Sequence, residues 1–245
     1  MRMRYLAMAA MAALLAVAPW RGAWAQSPQP SASPAPEAEQ AQPGQPAQAA
    51  AAPLGVVIVE EDVVVPLIGE PEHHFRHALK YFQKGKNEQA AQQIRIGAAL
   101  LRVEAGRHEA ANKEGLQSAA DDLDKLADEV KQGKVKSPKQ LQQSFAKADL
   151  ALARHYQKMA KDSLSEANGK KTGGWLAASA DYVERSAHWV GHKFEAGEAT
   201  VVRGARALGQ KLKAGGSAAS GEVDKGADAI GNEVDKLSGS QGAAK

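Results

Sequence analysis

The sequence predicts an all-α fold, an elongated antiparallel bundle of about four helices with a short N-terminal β segment and a low-complexity C-terminal tail. Three observations lead there. Over 72–212, apolar residues recur with the alternating spacing of four and three that places them on one face of a helix. The links between these runs, near Gly85, Gly133 and 168–174, are short enough to force antiparallel neighbours. Cysteine is absent, so packing must hold the chain without disulfides.

The N-terminus reads as an address. Arg2 and Arg4 precede an apolar run over 6–18, and Ala23-Trp24-Ala25 stands before Gln26, the pattern of a signal peptide over 1–25. Pro19, Trp20, Arg21 and Gly22 interrupt the run before the roughly 20 apolar residues that a spanning helix needs. An exported protein, periplasmic or secreted, is expected. Removing Arg2, Arg4 and Arg21 from the 31 basic residues leaves 28, against 28 acidic ones. A formally neutral mature chain lacks the basic excess that attracts DNA or RNA, so no nucleic-acid partner is expected. Without cysteine there is also no thiolate nucleophile and no zinc-thiolate site.

Residues 26–53, nearly all Pro, Ala, Gln and Ser, hold too little apolar surface to offset ordering entropy and are expected to form a disordered linker. Over 54–70, two β-branched runs flank Glu60, Glu61 and Asp62, which predicts an extended β segment. It would pack along the helical body or add to a partner's sheet edge.

The bundle domain is expected over 71–213. Its first helix carries Phe75, Ala78, Leu79 and Phe82 on one face, with Pro71 in its first turn and Gly85 at its end. The second, of roughly 40 residues, follows a stripe through Ala90, Ile94, Leu101, His108, Asn112, Leu116, Leu123 and Val130. Ile96, Leu100 and Val103 form another apolar strip on it, to be covered by the first helix or by another subunit. Ser137 as N-cap and Pro138 as first residue open the third, whose inner face is Leu141, Phe145, Leu152, Tyr156 and Met159. The fourth runs unbroken from Leu176 through Val183, Val190, Val201 and Ala205 to Leu212.

The tail, 214–245, is rich in glycine. Glu222-Val223-Asp224-Lys225 recurs eleven residues later as Glu233-Val234-Asp235-Lys236, and Val190, Val201, Leu212, Val223 and Val234 keep the same period. Such a repeat makes a nearly straight amphipathic helix. It resembles the repeats of apolipoproteins, synucleins and late-embryogenesis proteins, and that resemblance implies peripheral membrane contact through 200–243. Each interior glycine costs about 1 kcal/mol against alanine, so the free tail is expected to be disordered or marginally helical.

No nucleophile elbow, phosphate loop, dinucleotide fingerprint or H-E-x-x-H motif occurs, which predicts a protein without catalytic residues or organic cofactor. Seven histidines raise a divalent transition metal as the alternative. His188 and His192 are spaced i,i+4 with Glu184 one turn before, and His155 falls level with His188 in an antiparallel pairing. His73 and His77 form a second such pair. Both pairs project away from the core stripes, and His155 also reads as a buried core histidine. Trp175, Tyr182 and Trp189 lie off the fourth helix's stripe, near Lys193, and form a candidate interaction surface or a packing face for another helix.

The order of signal, polar Ala/Gln spacer, short helix ending at Gly85 and long Ala-rich helices is similar to the YfdX-like exported helical proteins over about 72–212. That resemblance implies a stress-associated role and supplies no catalytic residue. The sequence thus predicts an exported, non-enzymatic binding or scaffold module with a protein partner or self-association. A histidine-dependent metal-binding protein and a peripheral membrane-surface protein are the alternatives.

Overall fold

The computed structural model describes residues 69–107, 112–164 and 168–242. Among them are seven helices and no strand: α1 (Glu70–Gln83), α2 (Asn87–Arg107), α3 (Lys113–Lys131), α4 (Pro138–Leu164), α5 (Gly169–Val190), α6 (Ala196–Lys213) and α7 (Ser220–Gly242). The chain is all-α, with seven helices in place of four. The signal, the linker and nearly all of the expected β segment lie outside the described residues, and the segment's last two positions, Gly69 and Glu70, are a turn and the start of α1.

Three corrections explain the larger number. Asn112 takes a left-handed backbone, φ 53°, between α2 and α3, a conformation that asparagine tolerates better than most residues. Its side-chain amide donates to the Ala151 carbonyl of α4 across 3.4 Å. The apolar stripe keeps its phase across this break, which is why the spacing reads as one helix. His108 lies outside the described residues. The fourth predicted helix ends early, at Gly191, whose φ of 69° lets the His192 amide reach the Ala187 carbonyl at 2.9 Å and close the helix in a Schellman turn.

The expected start of α4 is present: Ser137 Oγ accepts from the Lys139 amide at 3.2 Å and Pro138 is the first helical residue. Each helix packs on its successor, while α4 also meets α1 and α7, and α5 meets α7. At the centre, Tyr156 of α4 stacks on Trp175 and Tyr182 of α5, with ring centroids 5.4 and 5.6 Å apart. α6 approaches α5 at a glycine pair, where a Cβ on Gly209 would lie 2.6 Å from the Gly173 carbonyl oxygen. α1 covers α2 through Phe75, whose ring fills the space a side chain at Gly97 would need. Ile96 and Leu100 remain half-buried and Val103 is exposed, so α1 leaves that second strip of α2 partly open.

The tail is the third correction. α7 is a packed helix, with Val223, Ala227, Ile230, Val234 and Leu237 buried. Gly231 faces Arg154 and Gln157, and its missing Cβ lets α7 lie close to α4. Arg154 pairs with Asp235 and Lys161 with Asp228, a register of two rungs seven residues apart on both helices. Burying the four larger apolar chains gains roughly 1.5–3 kcal/mol each, which outweighs the roughly 1 kcal/mol cost of each interior glycine. The 11-residue period runs from Val190 at the end of α5 through α6 into α7, broken by turns at Gly191, φ 69°, and Gly215, φ 87°, so it does not form one continuous rod.

Candidate binding site

An aromatic ladder joins α1, α4 and α5. Phe75 stacks on Phe145 at 4.5 Å with the rings 6° from parallel, and Phe145 meets Trp189 edge to face at 5.3 Å. Over its outer end lies a groove of about 280 Å³. Arg76, Leu79, Lys80 and Gln83 of α1 form one wall, and Gln142 of α4 with His188 and Trp189 of α5 the other. Arg76, Leu79, Lys80 and Gln83 face one way because they are spaced three and four apart on a helix. Trp189 is 7% exposed, so the groove meets only an edge of its indole.

A buried charge network sits in the same three helices. Asp149 of α4 is fully buried, and neither of its carboxylate oxygens has a partner in full hydrogen-bond geometry. Desolvation pushes its carboxyl well above the usual range, with the Arg185 charge opposing, Glu72 adding to the rise, and the nearby Trp189 N–H opposing weakly. Arg185 Nε donates to Glu72 Oε2 at 3.0 Å, and its guanidinium lies over the Tyr182 ring at 4.9 Å. Glu72 also pairs with Arg76 one turn along α1. One carboxylate is therefore shared between a guanidinium on the groove wall and another inside. Burial, and then the Asp149 charge, push the Tyr182 phenol upward.

Glu104 of α2 is a second buried acid. Tyr156 Oη donates to Glu104 Oε1 at 2.9 Å, and His155 Nε2 lies 4.0 Å from the same oxygen. Desolvation raises the Glu104 carboxyl, against the lowering pull of the Tyr156 hydrogen bond and then of Arg107.

The structure separates the predicted metal ligands. His155 is fully buried beside Tyr156, whereas His188 is exposed on the groove. Glu184 is engaged by Arg206 of α6. His192 lies past the end of α5 and meets Glu198 Oε2 at 3.1 Å. That carboxylate is held below its usual range by the Glu195 amide first and by His192 second. Among the described residues no three His, Asp or Glu side chains gather in a geometry that could hold a metal ion. His73 and His77 do come together, with ring centroids 4.4 Å apart on the exposed side of α1.

The predicted aromatic surface is corrected. Trp175, Tyr182 and Trp189 are buried, because α5 packs against α4, α6 and α7 and so has little free face. Of the three, Trp189 reaches the edge of the groove between α1, α4 and α5. Sequence reasoning missed Asp149 and Glu104. The available signal was position: Asp149 falls between Phe145 and Leu152, and Glu104 three residues after Leu101, both on apolar stripes.

No described helix is long and apolar enough to cross a membrane. No protein-family model, curated protein or solved structure matches this chain.

Proposed function

We propose that this chain is an exported, non-catalytic binding module, stress-associated as its similarity to YfdX-like proteins suggests, and that the face shared by α1, α4 and α5 is its binding surface. The observation that supports the reading most is the groove itself. Its walls come from rigid helices, and the Phe75–Phe145–Trp189 ladder fixes their spacing. Concave sites with an apolar floor and a few convergent polar groups are where small ligands bind. Saturation-transfer NMR of the purified protein with a mixed set of small acids, amines and neutral aromatics tests it. Hits that shift the Trp189 indole resonance support the reading, and a set in which none does so overturns it.

A metal-binding role draws on one observation, the 4.4 Å approach of the His73 and His77 rings. An i,i+4 histidine pair suits Cu(II) or Ni(II) better than harder ions. Calorimetric titration of the untagged protein with Cu(II) checks this: stoichiometric binding lost in His73→Ala supports it, and binding unchanged by that substitution removes it.

A further inference from the structure

With the groove between α1, α4 and α5 taken as the binding surface, a reading on which this inference rests, the chemistry of its walls narrows the class of occupant. Its ionisable lining is Arg76, Lys80 and His188, and no carboxylate is among the groove's lining residues. The nearest counter-charge, Glu72, is divided between Arg76 and Arg185, so it cannot neutralise both. The other acid of that network, Asp149, is buried and driven toward its neutral form, which leaves the positive excess standing. Gln83 and Gln142 add amide donors at the rim, while Leu79 and the indole edge of Trp189 supply an apolar floor. A volume of about 280 Å³ is of a size that a small molecule fills.

We propose that this groove binds a small amphipathic carboxylate, its anionic head held by Arg76 and Lys80 and its apolar body laid against Leu79 and Trp189. Arg76 is positioned for this role by Glu72, which holds the guanidinium against the helix while Arg185 holds Glu72 from the other side. A guanidinium with free N–H groups suits a carboxylate in a two-point hydrogen bond, and Lys80 one turn along adds a point charge. Both halves of the ligand matter: acetate lacks the body, and benzyl alcohol lacks the head.

The probes are phenylacetate, acetate, benzyl alcohol and benzylamine, titrated into the purified protein while the Trp189 indole resonance is followed. Phenylacetate is expected to shift it saturably and to bind at least tenfold more tightly than the other three. Lys80→Glu, a change at the groove's rim, is expected to weaken phenylacetate at least tenfold while lowering the thermal midpoint by no more than a few degrees, the effect of a carboxylate in the last turn of α1. Arg76→Gln should act in the same direction. If benzyl alcohol or benzylamine binds as tightly as phenylacetate, or Lys80→Glu leaves its affinity unchanged, the carboxylate assignment is overturned while the groove remains a binding site. If none of the four probes moves the Trp189 signal, the carboxylate assignment fails, and failure of the broader fragment set then removes the groove reading as well.

Discussion

Tyr156 donates its hydroxyl proton to Glu104 across 2.9 Å in a part of the core where neither side chain reaches solvent. The pair ties α4 to α2, and the tyrosine ring continues the tie into α5 by stacking on Trp175 and Tyr182. An ionised carboxylate is costly to bury unless its oxygens have partners, so the stability of this junction is linked to pH.

Tyr156→Phe removes one hydroxyl and keeps the stacking. Glu104 then loses the donor that favours its charged form, and its carboxyl rises further. An acid whose pKa is raised by folding stabilises the fold fully below the ordinary carboxylate range and loses that stability as pH climbs toward the raised value. The variant is therefore expected to lose about 1–3 kcal/mol at pH 8 and less at pH 4. Urea unfolding at the two pH values measures this, and an equal loss at both would exclude the link to Glu104.

Asp149 gives the opposite result on substitution. The same sign applies, since desolvation raises its carboxyl, but no well-placed donor compensates it. Asp149→Asn keeps the shape and removes the penalty of ionising in the interior. At pH 8 the variant is expected to be more stable than the parent by about 1–3 kcal/mol, and at pH 4 the two should nearly coincide. A destabilised variant at pH 8 would mean that the charge on Asp149 is needed by Arg185.

How much of this was legible in the sequence depends on whether a feature changes the hydrophobic period. Pro71, Gly85, Gly133 and the Ser137-Pro138 start interrupt or frame the stripes, and α1 and α4 appear where those signals place them. Asn112 opens α3 and Gly191 closes α5 without disturbing the phase of the apolar residues around them, so the spacing carries the predicted helices straight through. Tail packing was hidden for a different reason: propensity counts the glycines of α7 as costs, whereas Gly231 is what allows close approach to α4. Of the candidate site, His188 and Trp189 do share a groove, but the cations opposite them come from α1, and only the tertiary fold joins the two.

Two glycines of α6 should respond in opposite directions to the same change. A Cβ on Gly209 would meet the Gly173 carbonyl oxygen at 2.6 Å and the Ala177 nitrogen at 2.7 Å, both backbone atoms that cannot turn aside. Gly204 has nothing within 4 Å of the same position. Gly209→Ala is expected to cost about 1–3 kcal/mol by forcing α5 and α6 apart. Gly204→Ala should stabilise by up to about 1 kcal/mol, the helix-propensity difference alone. Thermal unfolding of both variants checks the contrast, and a neutral Gly209→Ala would show that α5 and α6 can separate at this crossing without loss.

The packing of α7 separates a bundle helix from a solvated tail. Ending the chain after Ala219 removes the partners of Arg154 and Lys161 and uncovers the surface that Ile230, Val234 and Leu237 bury. Part of the gross apolar gain is cancelled by the entropy of ordering the helix, so a net loss of about 2 kcal/mol is reasonable. In a protein of this size that lowers the thermal midpoint by roughly 4–8 °C. Hydrogen exchange on the intact protein gives the complementary reading: amides over 227–237 should be protected nearly as well as those of α4. An unchanged midpoint together with unprotected α7 amides would return this segment to the membrane-surface reading, in which the repeat gains its structure only on contact with lipid.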